Sequence, residues 1–201
     1  CLPNTWHLMS VMLSCTSNIN WFINTFDSSI DEITKCLKES IGSDILIKNS
    51  PYYLPYLTGE RTPLNDPHVR ASFHNMGIET NRNALIYSLI EGISFGLFDN
   101  YQALSKTGIK LNNLFVIGGG SKNEDWIKLL ASILNRNLAI TEASDAMAAY
   151  GAARLAYLGY NNLKHEDLLK PPSVKKIIEK DNNISPLLQE RYAQWKNYYV
   201  K

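Results

Sequence analysis

Three consecutive glycines at residues 118–120 are the residues whose type and spacing most clearly suggest chemistry. They follow a short apolar run, 114–117, that predicts a buried strand, and they precede Ser121 and Glu124. A serine with a glutamate three residues later has the spacing of a capping box, which predicts that a helix begins at Ser121. Such a strand, glycine turn and helix start can present bare backbone N–H groups to a phosphate. The alternative is a tight turn without a ligand, for which a positive φ at one or two positions would suffice.

The glycine triplet does not match two common nucleotide-binding signatures. A Walker A motif would require Gly-Lys-Ser or Gly-Lys-Thr at a fixed distance, and these residues are absent. A dinucleotide-binding Gly-x-Gly-x-x-Gly motif would require a third glycine where Asn123 stands. From these residues alone we predict an α/β domain with a phosphate-receiving turn and nothing more specific.

The composition limits which kinds of partner and which cellular compartment we expect. The 20 basic and 19 acidic residues nearly cancel, which argues against a nucleic-acid partner held by bulk charge. Cys1, Cys15 and Cys36 cannot all pair within one chain, so we expect a reducing, cytoplasmic setting. Scattered histidines and these cysteines predict no metal site, and the apolar runs are too short to predict a membrane span or signal peptide. Because patterned sequence starts at Cys1, we expect a piece of a longer protein.

Hydrophobic periodicity predicts alternating strands and helices around the glycine turn. After the turn it predicts a helix, a strand at 138–141 and a helix at 146–158 that Gly159 ends. Small residues recur in that second helix and predict tight packing against a neighbour: Ala146, Ala149, Ala152, Ala153 and Ala156. Strand, helix, strand and helix in this order predict an α/β core with parallel strand pairing.

Before the turn, the periodicity predicts helices at about 10–27, 31–40 and 83–105. The last of these carries a stripe of small residues that includes Gly92 and Gly96. A glycine inside a helix costs on the order of 1 kcal/mol relative to alanine, so the stripe predicts close approach by another backbone rather than by a ligand. An aromatic stripe after Ser185 predicts a final helix that packs on the core.

Residues 51–67 form the longest irregular stretch, which four prolines punctuate and which is too aromatic to be disordered. Glu60 and Arg61 lie inside it and are open to two interpretations. They could form a surface ion pair that contributes little to stability, or they could line a cleft. The sequence leaves both open.

Four ordered stretches of the chain together resemble the FGGY carbohydrate kinases. They are residues 56–67, residues 90–95, residues 117–121 with Trp126, and residues 150–153. The set is specific because the stretches occur in the family's order and approximate spacing, and the resemblance extends from about residue 2 to residue 158. Residues 6–14 and the Gly-Glu-Arg-Thr-Pro sequence at 59–63 resemble the branch of the family that phosphorylates xylulose.

The resemblance implies an α/β domain of the actin-like, ribonuclease-H-like ATPase architecture. Residues 1–201 would form the C-terminal, nucleotide-binding domain of a two-domain sugar kinase, incomplete at the first strands of its own sheet. The N-terminal domain, with most sugar contacts and the catalytic aspartate, would lie outside this chain. For that reason we assign no catalytic residue and no metal ligand within it.

The activity that the resemblance implies is in-line phosphoryl transfer from ATP, with Mg²⁺, to a hydroxyl of D-xylulose. Gluconate, ribulose or glycerol stay open as the sugar. A non-catalytic nucleotide-binding module of the actin-like superfamily also stays open. The implied partners are the sugar, ATP and the protein's own N-terminal domain, and a homodimer stays open.

Six residues are the cofactor-binding positions that the resemblance implies. They are Gly118, Gly119, Gly120, Glu124, Asn20 and Thr16. Gly120 would contact a nucleotide phosphate through its backbone, with close approach at the other two glycines. Glu124 would reach the adenine or its ribose, although capping its own helix is a competing duty.

Overall fold

A computed structural model describes residues 4–41, 43–142, 144–164 and 170–199. The helices are α1 (Ser17–Phe26), α2 (Ile30–Ser40), α3 (Asp44–Asn49), α4 (Arg82–Ser105), α5 (Glu124–Leu134), α6 (Met147–Asn161) and α7 (Ser185–Trp195). The strands are β1 (Tyr52–Leu54), β2 (Ser72–His74), β3 (Phe115–Val116), β4 (Leu138–Thr141) and β5 (Val174–Ile178). Short 3₁₀ turns follow at Gly119–Lys122 and Lys196–Tyr198.

The glycine turn leaves the edge strand of a three-stranded sheet with the order β3-β4-β5. Strand β3 is parallel to β4, with Val116 opposite Ile140, so the predicted parallel pairing is confirmed. Strand β5 adds an antiparallel pair on the other side of β4. Helix α5 covers one face of this sheet through Ile127, Leu130 and Ala131, which pack with apolar side chains of β4 and β5. The sheet and α5 therefore hold the two ends of the glycine turn.

Helix α4 is the centre of the main hydrophobic core, and its predicted extent is confirmed. The prediction of a single apolar face is too narrow, because residues 86–96 are buried on every side of the helix. It packs against β1, α2 and α5. A Cβ at Gly92 would lie 2.2 Å from the carbonyl oxygen of Tyr53 in β1, so the predicted close approach by another backbone is confirmed there. At Gly96 the neighbour is a side chain instead, since a Cβ would lie 2.9 Å from Cε of Met12.

Helix α7 closes this core, as its aromatic stripe predicts. The Trp195 indole is buried, and its Nε1–H donates to the carbonyl of Tyr53 at 2.7 Å. Arg191 forms a two-point ion pair with Glu91 of α4, at 2.6 and 2.7 Å. Both charges are buried, and the Tyr87 hydroxyl also donates to Glu91. Burial raises the pKa of Glu91, against the opposing pull of the Arg191 guanidinium.

The first predicted helix, at 10–27, is wrong over its first third, because α1 begins only at Ser17. Residues 11–14 instead run alongside the proline-rich loop. Val11 N–H donates to Oγ1 of Thr62 at 3.1 Å, and Leu13 N–H donates to Oε1 of Glu60 at 3.0 Å. These contacts hold residues 11–14 against the loop, and α1 begins after them. Helix α3 is an addition that the periodicity did not predict.

The expectation of tight packing along the 146–158 helix is wrong. Helix α6 has five alanines, all exposed, and Leu158 is its buried residue among those described. Alanine is also the strongest helix former, so its abundance here reflects helix propensity rather than packing. The helix also runs past Gly159 and ends at Asn162, which takes the left-handed conformation at φ 52°.

Strand β3 is shorter than predicted and is not buried. Phe115 is 36% exposed and Ile117, just after the strand, is 52% exposed. The reason is position, because β3 pairs with β4 on one side only and forms the edge of the described sheet.

Candidate functional site

The glycine turn begins with a backbone conformation that essentially only glycine adopts. Gly118 has φ 88° and ψ −179°. Its N–H donates to the carbonyl of Ser144 at 2.7 Å, and its own carbonyl accepts from the Ser121 hydroxyl at 2.7 Å. Ser121 N–H also donates to that carbonyl, at 3.1 Å, which starts the 3₁₀ turn. Hydrogen bonds to both the N–H and the C=O of Gly118 therefore hold the turn.

Two of the three glycines have an evident structural reason to lack a side chain. Gly118 needs its positive φ, and a Cβ at Gly120 would lie 3.0 Å from the ring of Trp126. At Gly119 neither reason applies, because no described atom lies within 4 Å of the position that a Cβ would take. The space above Gly119 is open, and its backbone is exposed. Gly119 therefore combines an exposed backbone with open space in which a ligand could approach it.

The capping box that the sequence predicts at Ser121 is wrong. The N-cap of α5 is Asn123, whose Oδ1 accepts from Trp126 N–H at 3.0 Å. A 3₁₀ turn over Gly119–Lys122 precedes α5 and shifts the cap by two residues. Glu124 is the first residue of the helix, and its carboxylate pairs with Nζ of Lys176 at 2.6 Å, with both side chains about half exposed. The alternative duty of Glu124 as a cap partner is therefore excluded.

Two cavities flank the glycine turn. The first, which we name the α1–α2 cavity, has a volume of about 490 Å³ and lies between α1, α2 and the start of α5. Its lining includes Thr16, Asn20, Ile33, Thr34, Gly119, Gly120, Lys122, Asn123 and Trp126. The second, the sheet-edge cavity, has about 510 Å³ and is lined by β3, the glycines, Cys15, Thr16 and side chains of α4 and α5. Burial raises the pKa of the Cys15 thiol.

The α1–α2 cavity combines apolar walls with a few polar groups. Ile19, Ile30 and Ile33 supply flat aliphatic surface. Thr34 and Asn123 lie among them, and Nδ2 of Asn123 donates to Oγ1 of Thr34 at 3.3 Å. A concave apolar site with a few oriented polar groups is the usual form of a small-molecule site, and its walls suit a planar base.

The structure brings four of the six predicted residues together around this cavity: Thr16, Asn20, Gly119 and Gly120. Gly118 lines the sheet-edge cavity instead, on the other side of the turn. Glu124 is not among the residues that line either cavity. Sequence reasoning missed Thr34, Lys122 and Asn123, of which Asn123 could have been found as a favoured N-cap residue.

Lys122 adds positive charge next to the glycine turn. Its side chain is 68% exposed and its Nζ lies 2.9 Å from Oδ2 of Asp145, in the segment before α6. The Lys122 ammonium holds the pKa of the Asp145 carboxyl below its usual value. Lys122 is therefore tethered at the mouth of the cavity without being buried.

Glu60 is buried and does not form the surface ion pair that was one of its two interpretations. Its Oε1 accepts from the backbone N–H groups of Leu13 and Arg61, at 3.0 and 2.7 Å. Oε2 is buried with no hydrogen-bond partner among the described residues. Burial raises the pKa of this carboxyl. Glu60 thus fixes the segment that leads into α1 and the wall of the α1–α2 cavity.

Residues 92–96 of α4 also have a Gly-x-Ser-x-Gly arrangement. In hydrolases this pattern places a nucleophilic serine on an exposed turn. Here Ser94 is fully buried inside α4, donates to the carbonyl of Ile90 at 2.7 Å and accepts from Nε1 of Trp126 at 2.9 Å. Its hydroxyl therefore anchors Trp126 under the glycine turn and is not exposed as a nucleophile.

The described residues lack the features of two other kinds of site. They contain no group of three or more His, Cys, Asp or Glu side chains arranged to hold a metal ion. None of their helices has the length and hydropathy needed to cross a membrane.

Comparison with known proteins identifies the family. Residues 1–160 match the model of the C-terminal domain of the FGGY family of carbohydrate kinases. The xylulose kinase of Escherichia coli is 35% identical over 161 residues, which are 80% of this chain and 32% of that protein. The xylulose kinase of Staphylococcus xylosus is 34% identical over 159 residues, 79% of this chain and 32% of that protein. The chain thus spans about a third of the length of these relatives.

Solved structures share the fold. A crystal structure described as a "xyloylose kinase" from Brucella ovis superposes with a TM-score of 0.87 at 34% identity, covering 98% of this chain and 40% of that one. The glycerol kinase of Plasmodium falciparum, solved with ADP, gives a TM-score of 0.74 at 18% identity, covering 94% and 38%. The latter likeness concerns the fold alone. The chain belongs to the FGGY family of carbohydrate kinases and has the mixed α/β fold of their C-terminal domains.

Proposed function

We propose that the protein carrying this chain is an ATP-dependent sugar kinase that converts D-xylulose to D-xylulose 5-phosphate. The family supports the kinase reaction. The choice of xylulose is supported by the names of the relatives in Escherichia coli and Staphylococcus xylosus. Residues 1–201 would form the nucleotide-binding domain, and the remainder of the protein would supply the sugar pocket and the catalytic carboxylate.

The observation that carries the proposal is the open space at Gly119 beside the α1–α2 cavity. The exposed backbone of the glycine turn would bind the phosphates of ATP, and Lys122 would add positive charge near them. The aliphatic walls would hold the adenine, with Asn20, Thr34 and Asn123 as hydrogen-bonding groups. The volume of about 490 Å³ lies within the range of small-molecule sites.

Glu124 stays a proposed contact of the nucleotide. Its carboxylate now pairs with Lys176, so a contact with the ribose or adenine would require the side chain to leave that exposed pair. Exposed ion pairs contribute about 0–1 kcal/mol, so the rearrangement costs little.

A Mg²⁺ ion that accompanies ATP would be held mainly by phosphate oxygens, as is usual for this ion. The described residues offer no acidic cluster that would form a separate protein cage. The ion would neutralise phosphate charge during transfer. The residues of this chain would bind the nucleotide, orient its phosphates and exclude water as the two domains close.

The reaction is tested by incubating the purified protein with ATP, Mg²⁺ and a panel of D-xylulose, D-ribulose, D-gluconate and glycerol. We expect phosphorylation of xylulose with the highest kcat/KM. A preference for another sugar would change the proposed substrate but leave the proposed kinase reaction in place. Binding of ATP without turnover of any sugar would favour a non-catalytic nucleotide-binding module.

Three further expectations accompany this function. Residues 1–201 alone should lack kinase activity, because the sugar pocket and the catalytic carboxylate are assigned to the rest of the protein. We propose a cytoplasmic location, in keeping with free thiols at Cys15 and Cys36. A homodimer stays a prediction, which the molecular mass in solution would test.

A further inference from the structure

The glycine turn is tied to the segment before α6 by a closed ring of hydrogen bonds. The N–H of Gly118 donates to the carbonyl of Ser144 at 2.7 Å. The hydroxyls of Ser121 and Ser144 are 2.6 Å apart, and the Ser121 hydroxyl donates to the carbonyl of Gly118 at 2.7 Å. Ser144 thus contacts the turn through both its backbone and its side chain.

The direction of each hydrogen bond follows from counting protons. A serine hydroxyl has one proton, and that of Ser121 is used on Gly118. The bond between the two hydroxyls must therefore be donated by Ser144. The ring runs from Gly118 N–H to the Ser144 carbonyl, and from the Ser144 hydroxyl through Ser121 back to the Gly118 carbonyl. Ser121 is buried, so water does not readily replace these partners.

This ring orients the peptide group between Gly118 and Gly119. In a planar trans peptide the C=O and N–H point in opposite directions. Since the Gly118 carbonyl points into the ring towards Ser121, the N–H of Gly119 points away from it. A Cβ at Gly118 or Gly119 would meet no described atom within 4 Å, so the space around this peptide is open.

We propose that Ser144 is a positioning residue for the nucleotide phosphates. Its hydroxyl acts through Ser121 to hold the Gly118–Gly119 peptide, so that the Gly119 N–H is already directed at a phosphate before binding. The inference rests on the proposed function, since it assigns the phosphates to this turn. Ser144 itself touches neither the base nor the sugar.

The test compares the binding of ADP and adenosine to the purified full-length protein that carries this chain. Ser144→Ala should weaken ADP binding roughly fivefold, as expected for the loss of one hydrogen bond. Adenosine has no phosphate, so its affinity should not change. Ser144→Thr keeps a hydroxyl and should restore most of the ADP affinity. Ser105→Ala is a matched control, because it removes an exposed hydroxyl that bonds only within α4.

Ser121→Ala interrupts the same series of hydrogen bonds between Ser144 and Gly118, and it should also weaken the binding of ADP but not of adenosine. Because both hydroxyls serve one path, Ser121→Ala with Ser144→Ala should be no worse than the stronger single change. If Ser144→Ala does not fold, Ser121→Ala carries the same comparison. The KM for sugar should be unaffected in each folded variant.

The outcomes separate the inference from the function on which it rests. A wild-type protein that binds neither ADP nor adenosine would overturn the proposed function. A wild-type protein that binds both, with a Ser144→Ala variant that binds ADP equally well, would overturn only the positioning role. Equal losses for ADP and adenosine would also overturn it, since they would indicate general damage to the site.

Discussion

The guanidinium of Arg191 and the carboxylate of Glu91 form a two-point ion pair, at 2.6 and 2.7 Å, inside the core between α4 and α7. The same guanidinium lies 4.4 Å from the centroid of the Tyr52 ring and donates to the carbonyl of Ser50 at 3.1 Å. One side chain therefore joins the last helix to the central helix and to the segment that enters β1.

Arg191→Met should destabilise the protein by about 3–5 kcal/mol, because it leaves the buried Glu91 carboxylate without its countercharge. The free energy of unfolding from urea denaturation measures this. Lys35→Met is the matched control, since the Lys35–Glu39 pair is exposed and 4.0 Å apart. Its removal should cost less than about 1 kcal/mol. Equal costs for the two variants would contradict the role that we give to the buried pair.

Gly119→Ala should leave stability nearly unchanged and weaken ATP binding. No described atom lies near the added methyl group, and the residue does not have a positive φ. The methyl group would, however, occupy the space assigned to a phosphate. Gly118→Ala is the contrasting variant, because its φ of 88° should cost about 1–3 kcal/mol of stability. Thermal unfolding measures the effect on stability, and ATP titration measures the effect on binding. If Gly119→Ala binds ATP as tightly as the wild type, the phosphates do not bind at this turn.

Glu124→Gln should weaken ATP binding more than Lys176→Met does. If Glu124 served only its exposed pair with Lys176, removing either partner would have the same small effect. A direct contact with the ribose or adenine makes the glutamate the more important partner. Titration of both variants with ATP tests this contact. Equal ATP affinities would show that Glu124 does not contact the nucleotide and would leave Asn123 and Thr34 as the proposed contacts of the base.

The buried Glu60 predicts a specific pH dependence of stability. Its pKa is raised in the folded state, so between the ordinary glutamate value and the raised value the folded protein binds more protons than the unfolded chain. Its contribution to stability therefore falls as the pH rises through that window. It is most favourable below the ordinary value, where the carboxyl is neutral in both states.

Glu60→Gln removes this titration but keeps an oxygen that can accept from Leu13 and Arg61. The free energy of unfolding of wild type minus that of Glu60→Gln should decrease as the pH rises from about 4.5 to 7. The nearby charge of buried Asp99 also helps to raise the pKa of Glu60, so the difference reports Glu60 together with its coupling to Asp99. A difference that increases with pH would show that the ionised carboxylate is the favoured form.

The sequence predicted best those elements whose own pattern determines their structure. Helix α4 has a long apolar face, and β4 is a short apolar run between turn residues, so both were placed within a residue. The cap of α5 could not be placed in the same way. Ser121 and Asn123 are both good N-cap residues, and the choice between them depends on Ser144, 23 residues away.

The start of α1 and the exposure of α6 also depend on partners distant in sequence. Val11 and Leu13, in what would be the first turn of the predicted helix, instead contact Thr62 and Glu60 of the loop. The glycine turn itself was identified from the sequence, yet the reasons for its three glycines were not separable there. One is conformational, one is packing against Trp126, and one is open space.

The hydrogen bond between Trp195 and the Tyr53 carbonyl joins residues 142 positions apart in the sequence. Trp195 lies beyond residue 160, where the match to the family model ends. A core that is completed by its last helix has high contact order, which slows folding because long loops must close first. During synthesis, the core around α4 would stay incomplete until α7 emerges from the ribosome and packs on it. The timing of folding would thus depend on residues outside the stretch that matches the family model.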